Sequence, residues 1–256
     1  MILTIDIGNT NIVLGGYRAG SLAFMARMTT DPLLEADQYA VEISGILQLY
    51  QVSGQEIEGI ALSSVVPTLT KVMLEALRHF TKVDPMLLTL ADAGNMQICI
   101  DNPAELGMDL LASALGVRDS YPLPAVIVDM GTATKLTALD KNGNLQGVSI
   151  APGLFVSLRA LVQNASLLGS IALEAPANAI GRNSPESMKS GMVLGTACMV
   201  DGLLDLFEKE LGGLASVVAT GGAVTPLLPC CRHRLQYVPT LILDGLYKAY
   251  LARYPA

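Results

Sequence analysis

The sequence predicts an α/β protein made of two repeated lobes, and three observations carry that prediction. Strand-like apolar runs alternate with helical patterns along the whole chain. Hydrophobic residues make up 51% of the 256 residues and charged residues only 15%, which is enough for a substantial core and excludes a disordered chain. An apolar strand that runs into Asp-x-Gly and then into small hydroxyl or amide side chains occurs twice, at 2–11 and at 125–134.

The first strand is read from Ile2-Leu3-Thr4-Ile5 and the second from Ile12-Val13-Leu14, with a tight turn between them. Further strands fall near 22–28, 59–64 and 86–89, and helices near 36–51, 67–80 and 108–118. The last of these begins after Gly107, because a glycine inside a helix costs roughly 1 kcal/mol against alanine. Tyr121-Pro122-Leu123-Pro124 then punctuates the chain, and the boundary between lobes 1–121 and 122–256 is placed there. Ala125-Val126-Ile127-Val128 opens the second lobe and leads into Asp129-Met130-Gly131-Thr132-Ala133-Thr134, the counterpart of Asp6-Ile7-Gly8-Asn9-Thr10-Asn11. Strands near 134–139, 145–150, 216–219 and 236–238 and helices near 153–163, 187–210 and 243–254 complete it. Two such turns in corresponding places imply a duplicated lobe whose turns face each other across a cleft.

Composition narrows the function. The formal net charge of -7 and the lack of a basic stripe argue against a nucleic-acid partner. A mean hydropathy of +0.47 raises the question of a membrane. The longest uncharged run, 211–231, carries four glycines and two prolines, which suits strand, loop and short helix rather than a span. Asp6 interrupts the N-terminal apolar run almost at once, so no signal peptide and a cytoplasmic protein are expected. Cys99, Cys198, Cys230 and Cys231 show no Cys-x-x-Cys spacing and are expected as reduced thiols. His79 and His233 lie in charged runs, which leaves the chemistry to carboxylates and backbone groups.

Glycine lets a backbone approach a phosphate closely, and the N–H groups and hydroxyls of a tight turn make a concave anion site. An aspartate beside it holds a cation, or a metal-bound water, that meets the phosphate. Two such hairpins suit the tail of a nucleoside triphosphate, and Val217-Val218-Ala219-Thr220-Gly221-Gly222-Ala223 suits a nucleoside lying on bare backbone. No G-x-x-x-x-G-K-[ST] sequence occurs, so the chain is not a P-loop protein.

This order of motifs resembles the superfamily of sugar kinases, acetate kinase and actin, in which two ribonuclease-H-like lobes clamp ATP (the actin-like ATPase fold). Within it, IDIGNTNIVLG at 5–15, SSVVPTLT at 63–70, IDNPAELGMD at 100–109, VDMGTAT at 128–134, SIAPG at 149–153, IGRNSPESMKSG at 180–191, TGGA at 220–223 and LILDGL at 241–246 resemble the type III pantothenate kinases over essentially the whole chain. The resemblance implies ATP-dependent phosphorylation of pantothenate to 4'-phosphopantothenate, the first step of coenzyme A biosynthesis. It also implies Mg2+, a monovalent cation (K+ or NH4+) and a homodimer. For ATP it implies Asp6, Ile7, Gly8, Asn9, Thr10, Asn11, Ile12, Val13 and Thr132, with Asp6 holding Mg2+ indirectly and Asp129 holding the monovalent cation. For pantothenate it implies Ile100, Gly107, Met108, Asp109, Leu110 and Ser184, with Asp109 as the catalytic proton acceptor. Apart from any resemblance, Asp109 falls in the first turn of its helix, where the dipole stabilises a carboxylate, so it suits either a general base or a plain helix-stabilising acid.

Five positions depart from that family's pattern: Ile100 replaces an aromatic residue, Leu110 an arginine, Lys135 a threonine, Thr137 an aspartate and Gln146 a glycine. They fall on the substrate side more than on the ATP side. Two other activities therefore stay open, a nucleotide-binding protein acting through a partner, as the related accessory factors do, and phosphoryl transfer to or from another group. Lys135 is the one new positive charge among them and a candidate to replace the missing arginine. Leu158, Leu161, Met192, Leu194, Leu203 and Leu204 add apolar surface suited to a dimer interface or to an ordinary core.

Overall fold

The computed structural model describes residues 1–255. The chain forms two compact units, the first comprising Met1–Asn95, Asp101–Gly116 and the segment from Thr240 onward, the second Met96–Ile100 and Val117–Pro239. The strands are β1 (Ile2–Ile7), β2 (Asn11–Arg18), β3 (Ser21–Thr29), β4 (Gly59–Ser64), β5 (Met86–Leu87), β6 (Ala125–Met130), β7 (Ala133–Leu139), β8 (Leu145–Pro152), β9 (Ser216–Thr220) and β10 (Gln236–Tyr237). The helices are α1 (Ala36–Leu49), α2 (Pro67–Arg78), α3 (Met108–Arg118), α4 (Leu154–Asn164), α5 (Ser184–Lys189), α6 (Gly195–Leu211) and α7 (Leu241–Arg253).

In the first unit the sheet order is β3-β2-β1-β4-β5. Central β1 pairs antiparallel with β2 and parallel with β4, and with helices packed on both its faces it reads as a mostly apolar run. Leu3, Ile5 and Ile7 on one face join Tyr39 and Ile43 of α1 and Leu69 and Met73 of α2 in one core. The opposite face, that of Thr4 and Asp6, meets α7: Gly15 lies opposite Thr4, where a Cβ would strike Leu243. Helices α3 and α7 pack backbone to backbone, since a Cβ on Gly245 would overlap the Ala112 carbonyl and one on Gly116 the Leu241 carbonyl. Lys248 Nζ donates to the Gly116 carbonyl at 2.8 Å, satisfying an acceptor near the end of α3. Tyr17 donates its hydroxyl to Asp244 and stacks on Tyr247, and burial followed by the Asp244 bond pushes that phenol well above its ordinary range. These contacts explain why the last helix belongs to the first unit, whereas a single cut at 121/122 would give it to the second.

The second sheet runs β10-β9-β6-β7-β8, which read from its other edge repeats the first strand for strand. Val126, Val128, Met130 and Leu136 pack against Ala197, Val200 and Leu204 of α6. Helix α5 continues through a π-helical turn, Ser190–Leu194, into α6. Although charged residues interrupt it, Ser184–Leu211 is long and apolar enough to cross a membrane by length and composition. Its Asp201, buried at 3% exposure, ties the following loop: it accepts the backbone N–H groups of Arg232 at 2.7 Å and His233 at 3.1 Å. Burial pushes the Asp201 carboxyl up, but those bonds and the His233 ring outweigh it and hold the group below the usual carboxylate range.

Candidate active site

The β1–β2 turn is closed by Gly8 N–H donating to Asn11 O at 3.0 Å, and a Cβ on Gly8 would press on that same oxygen. Thr30 braces it twice, its hydroxyl donating to Gly8 O at 2.7 Å and its N–H to Thr10 O at 3.0 Å. Asn9 and Thr10 are exposed at the tip, while Ile7 and Ile12 are wholly buried. Asp6 is 8% exposed, lies opposite Val13 on β2 and Ser63 on β4, and accepts the Ser63 hydroxyl at 2.5 Å. Ser63 lies in the SSVVPTLT stretch with no local sign of a role; its place beside Asp6 follows from strand pairing.

Asp109 stands where the start of α3 was expected. Gly107 O accepts the N–H groups of Leu110 at 3.0 Å and Leu111 at 3.2 Å, so the helix begins directly after the glycine. Asp109 Oδ1 accepts the Leu110 N–H at 2.9 Å and comes so near Gly107 that any Cβ there would overlap it. The same absent Cβ would meet Val65, whose N–H donates to Ile7 O at 3.0 Å. Asp6, Gly107 and Asp109 are thus parts of one unit, linked through the end of β4. Leu110, in the position of the family's arginine, is only 6% exposed and packs as an apolar residue.

In the second unit the β6–β7 turn is closed by Gly131 N–H to Ala133 O at 3.1 Å. Thr132 is exposed at its tip, and its carbonyl accepts the Gly153 N–H at 3.1 Å. Gly153 ends the SIAPG motif where a Cβ would overlap both Gly131 O and Thr132 O, so the motif's glycine is a support for the turn. Gly221 has φ +97 and lies against the Met130 backbone, which admits no side chain in either respect. Asp129 is 7% exposed and lies opposite Thr220 on β9 and Lys135 on β7. Lys135 Nζ is 2.7 Å from Asp129 Oδ2. That donor set does not fit a free monovalent cation on Asp129, because an ammonium group already sits on the carboxylate.

The remaining expected pantothenate residues spread over the second unit. Half-buried Ile100 follows Cys99, whose N–H donates to Leu145 O at 2.8 Å. Ser184 begins α5 behind Asn183, whose side chain caps the helix by accepting the Glu186 N–H at 2.9 Å. Ser184 lines a groove of about 510 Å³ with Arg182, Ser187, Met188 and Met192. Gln146 is held by Asp140 at 2.9 Å, and Thr137 is 1% exposed.

Two sheets of one strand order, each with an Asp-x-Gly hairpin at the end of its central strand, define the actin-like class of α/β kinases and ATPases. Solved structures agree on the fold. An activator of 2-hydroxyisocaproyl-CoA dehydratase from Clostridium difficile, with bound ADPNP, aligns over 98% of this chain and 95% of its own with a TM-score of 0.55 at 12% identity. A ROK hexokinase from Thermus thermophilus aligns over 100% and 99% with a TM-score of 0.52 at 16% identity. Sequence comparison is more specific: the family model of type III pantothenate kinase matches residues 2–206. A type III pantothenate kinase from Thermomicrobium roseum is 37% identical over 250 residues (98% of this chain, 96% of the relative), and one from a Roseiflexus species is 36% identical over 250 residues (98% of each). The chain belongs to the type III pantothenate kinase family.

Proposed function

We propose that this chain transfers the γ-phosphoryl group of ATP to the primary hydroxyl of pantothenate, giving 4'-phosphopantothenate in the first step of coenzyme A biosynthesis. The observation that carries the reading is the family match, which spans the phosphate hairpin, the acceptor loop and the second hairpin together. The braced Gly8 turn offers backbone N–H groups to phosphate oxygens, with Asp6, Gly8, Asn9, Thr10 and Asn11 as the ATP site and Thr132 as a further contact. Asp6, steadied by Ser63, suits a carboxylate that orients the hydration shell of Mg2+. When bound with ATP, that ion neutralises charge on the phosphates. Asp109, fixed in the first turn of α3 and crowded against Gly107, orients the pantothenate hydroxyl and takes its proton as the phosphoryl group transfers. Ile100, Gly107, Met108, Leu110 and Ser184 are assigned to the acceptor site.

A homodimer goes with this reading. Leu158 and Leu204 are buried within their own unit, but Leu161, Met192, Leu194 and Leu203 are half-buried, and Phe155, Leu167 and Ile180 are exposed. Light scattering at micromolar concentration should give twice 26.9 kDa, and a monomer would remove the dimer from the reading. A cytoplasmic location, with no nucleic-acid or membrane partner, completes it. The test of activity is direct: purified protein with MgATP and pantothenate should form 4'-phosphopantothenate, detected by mass spectrometry, in step with ADP. ATP turnover without that product, or none at all, would overturn the assignment.

A further inference from the structure

We propose that Lys135 is a tethered cation: its ammonium group stands on Asp129 where a potassium or ammonium ion would otherwise bind, so that the phosphoryl transfer proposed for this chain needs no added monovalent cation. The backbone places it there. Asp129 and Lys135 are directly opposed across the antiparallel β6–β7 pair, so their side chains leave the same face of the sheet. The connecting turn is short, closed by its own Gly131 to Ala133 hydrogen bond and braced by Gly153, which keeps the two strands in register. The ammonium nitrogen reaches Oδ2 at 2.7 Å, and the two side chains are only 15% and 9% exposed.

The chemistry of the substitution is close. A lysine ammonium carries the charge of an ammonium ion and three of its N–H donors, but it is delivered by the chain and cannot dissociate. A buried carboxylate needs a countercharge, and here the fold supplies it. A second cation would meet a carboxylate whose single negative charge is already matched and would approach a like charge. Thr137, next along the same face of β7, is neutral and 1% exposed, so the residue two positions on adds no second carboxylate to recruit an ion. With a threonine at 135, as in the family pattern, Asp129 would have no lysine here and would take its cation from solution.

The test compares wild type with Lys135→Thr in chloride salts of potassium, ammonium, sodium and tetramethylammonium at one ionic strength. Wild-type pantothenate phosphorylation should stay within about twofold across all four salts, while Lys135→Thr should lose about tenfold or more in sodium and tetramethylammonium and recover in potassium or ammonium. A second readout needs no turnover: potassium should raise the melting temperature of Lys135→Thr over the tetramethylammonium control and leave wild type unmoved. Stimulation of wild type by potassium or ammonium of about fivefold or more would overturn the proposal, as would a Lys135→Thr enzyme that is fully active in every salt. If wild type phosphorylates no pantothenate in any salt, the kinase reading fails separately and the melting comparison decides, a potassium-responsive wild type or an unresponsive variant counting against the tethered cation. Lys135→Met serves in the same comparisons should the threonine variant not fold.

Discussion

Asp6 and Asp129 end equivalent central strands in sheets of the same order, yet a neutral hydroxyl meets the first and an ammonium group the second. Each aspartate has two neighbours dictated by pairing: Val13 and Ser63 beside Asp6, Lys135 and Thr220 beside Asp129. Ser63 donates to the first carboxylate without adding a charge, which suits the metal–phosphate role proposed for Asp6. Lys135 cancels the charge in place. One duplicated hairpin therefore carries different cross-strand neighbours, a serine hydroxyl on the first aspartate and a lysine ammonium on the second.

The harshest way to break the comparison is Asp6→Asn. Removing the charge proposed to steady the metal and phosphates should cost about a thousandfold in turnover, several kcal/mol of transition-state stabilisation, with little change in melting temperature. Near-normal turnover would take Asp6 out of the mechanism. Restoring an arginine at 110 tests whether charge can simply be returned to the acceptor loop. Because Leu110 is 6% exposed, Leu110→Arg should lower stability by about 2–3 kcal/mol in urea unfolding and gain no activity. A stable and faster variant would mean that the acceptor loop can accommodate and use a guanidinium at this position.

Val13→Lys sharpens the comparison by making the first hairpin imitate the second. Val13 is half-buried and directly opposite Asp6, so its ammonium should settle on that carboxylate and weaken MgATP binding about tenfold by calorimetry, about 1.4 kcal/mol. Unchanged affinity would show that countercharge at this register position is immaterial. The smallest effect lies away from both hairpins. Asp201→Asn should cost about 1 kcal/mol of stability by weakening the bonds to the Arg232 and His233 N–H groups. The folded carboxyl is held below its unfolded value near 3.9, so the contribution is complete above that pH and disappears as pH falls through the folded value. The variant and wild type should therefore converge in stability in acid, and a constant difference down to pH 2 would contradict this role.

Much of the fold is legible in the sequence. Central β1 and β6 are mostly apolar because both their faces are covered, and α3 starts directly after Gly107, in keeping with the cost of glycine in a helix. The hairpins announce themselves through Asp-x-Gly and small polar residues. Other features have no local sign. Nothing in LILDGL states that Gly245 is there for the Ala112 carbonyl, or that the last helix returns to the first unit. The apolar helix ending at Leu211 is interrupted by charged residues, among them Asp201, a buried carboxylate whose partners lie some thirty residues further on.

The division has a physical cause. Strand and helix, turn chemistry and the duplicated order of elements depend on residues within a few positions of one another, through backbone sterics, side-chain period and the needs of glycine, and these survive in the linear chain. What stands on a buried charge depends on pairing between strands and on which side chains a sheet face brings into reach. Ser63 is 57 residues from Asp6 in sequence, and only the parallel register of β1 with β4 puts its hydroxyl on that carboxylate. Lys135 is near Asp129 in the chain but is indistinguishable there from an exposed strand lysine, until the antiparallel register and the burial of that face turn it inward onto the aspartate.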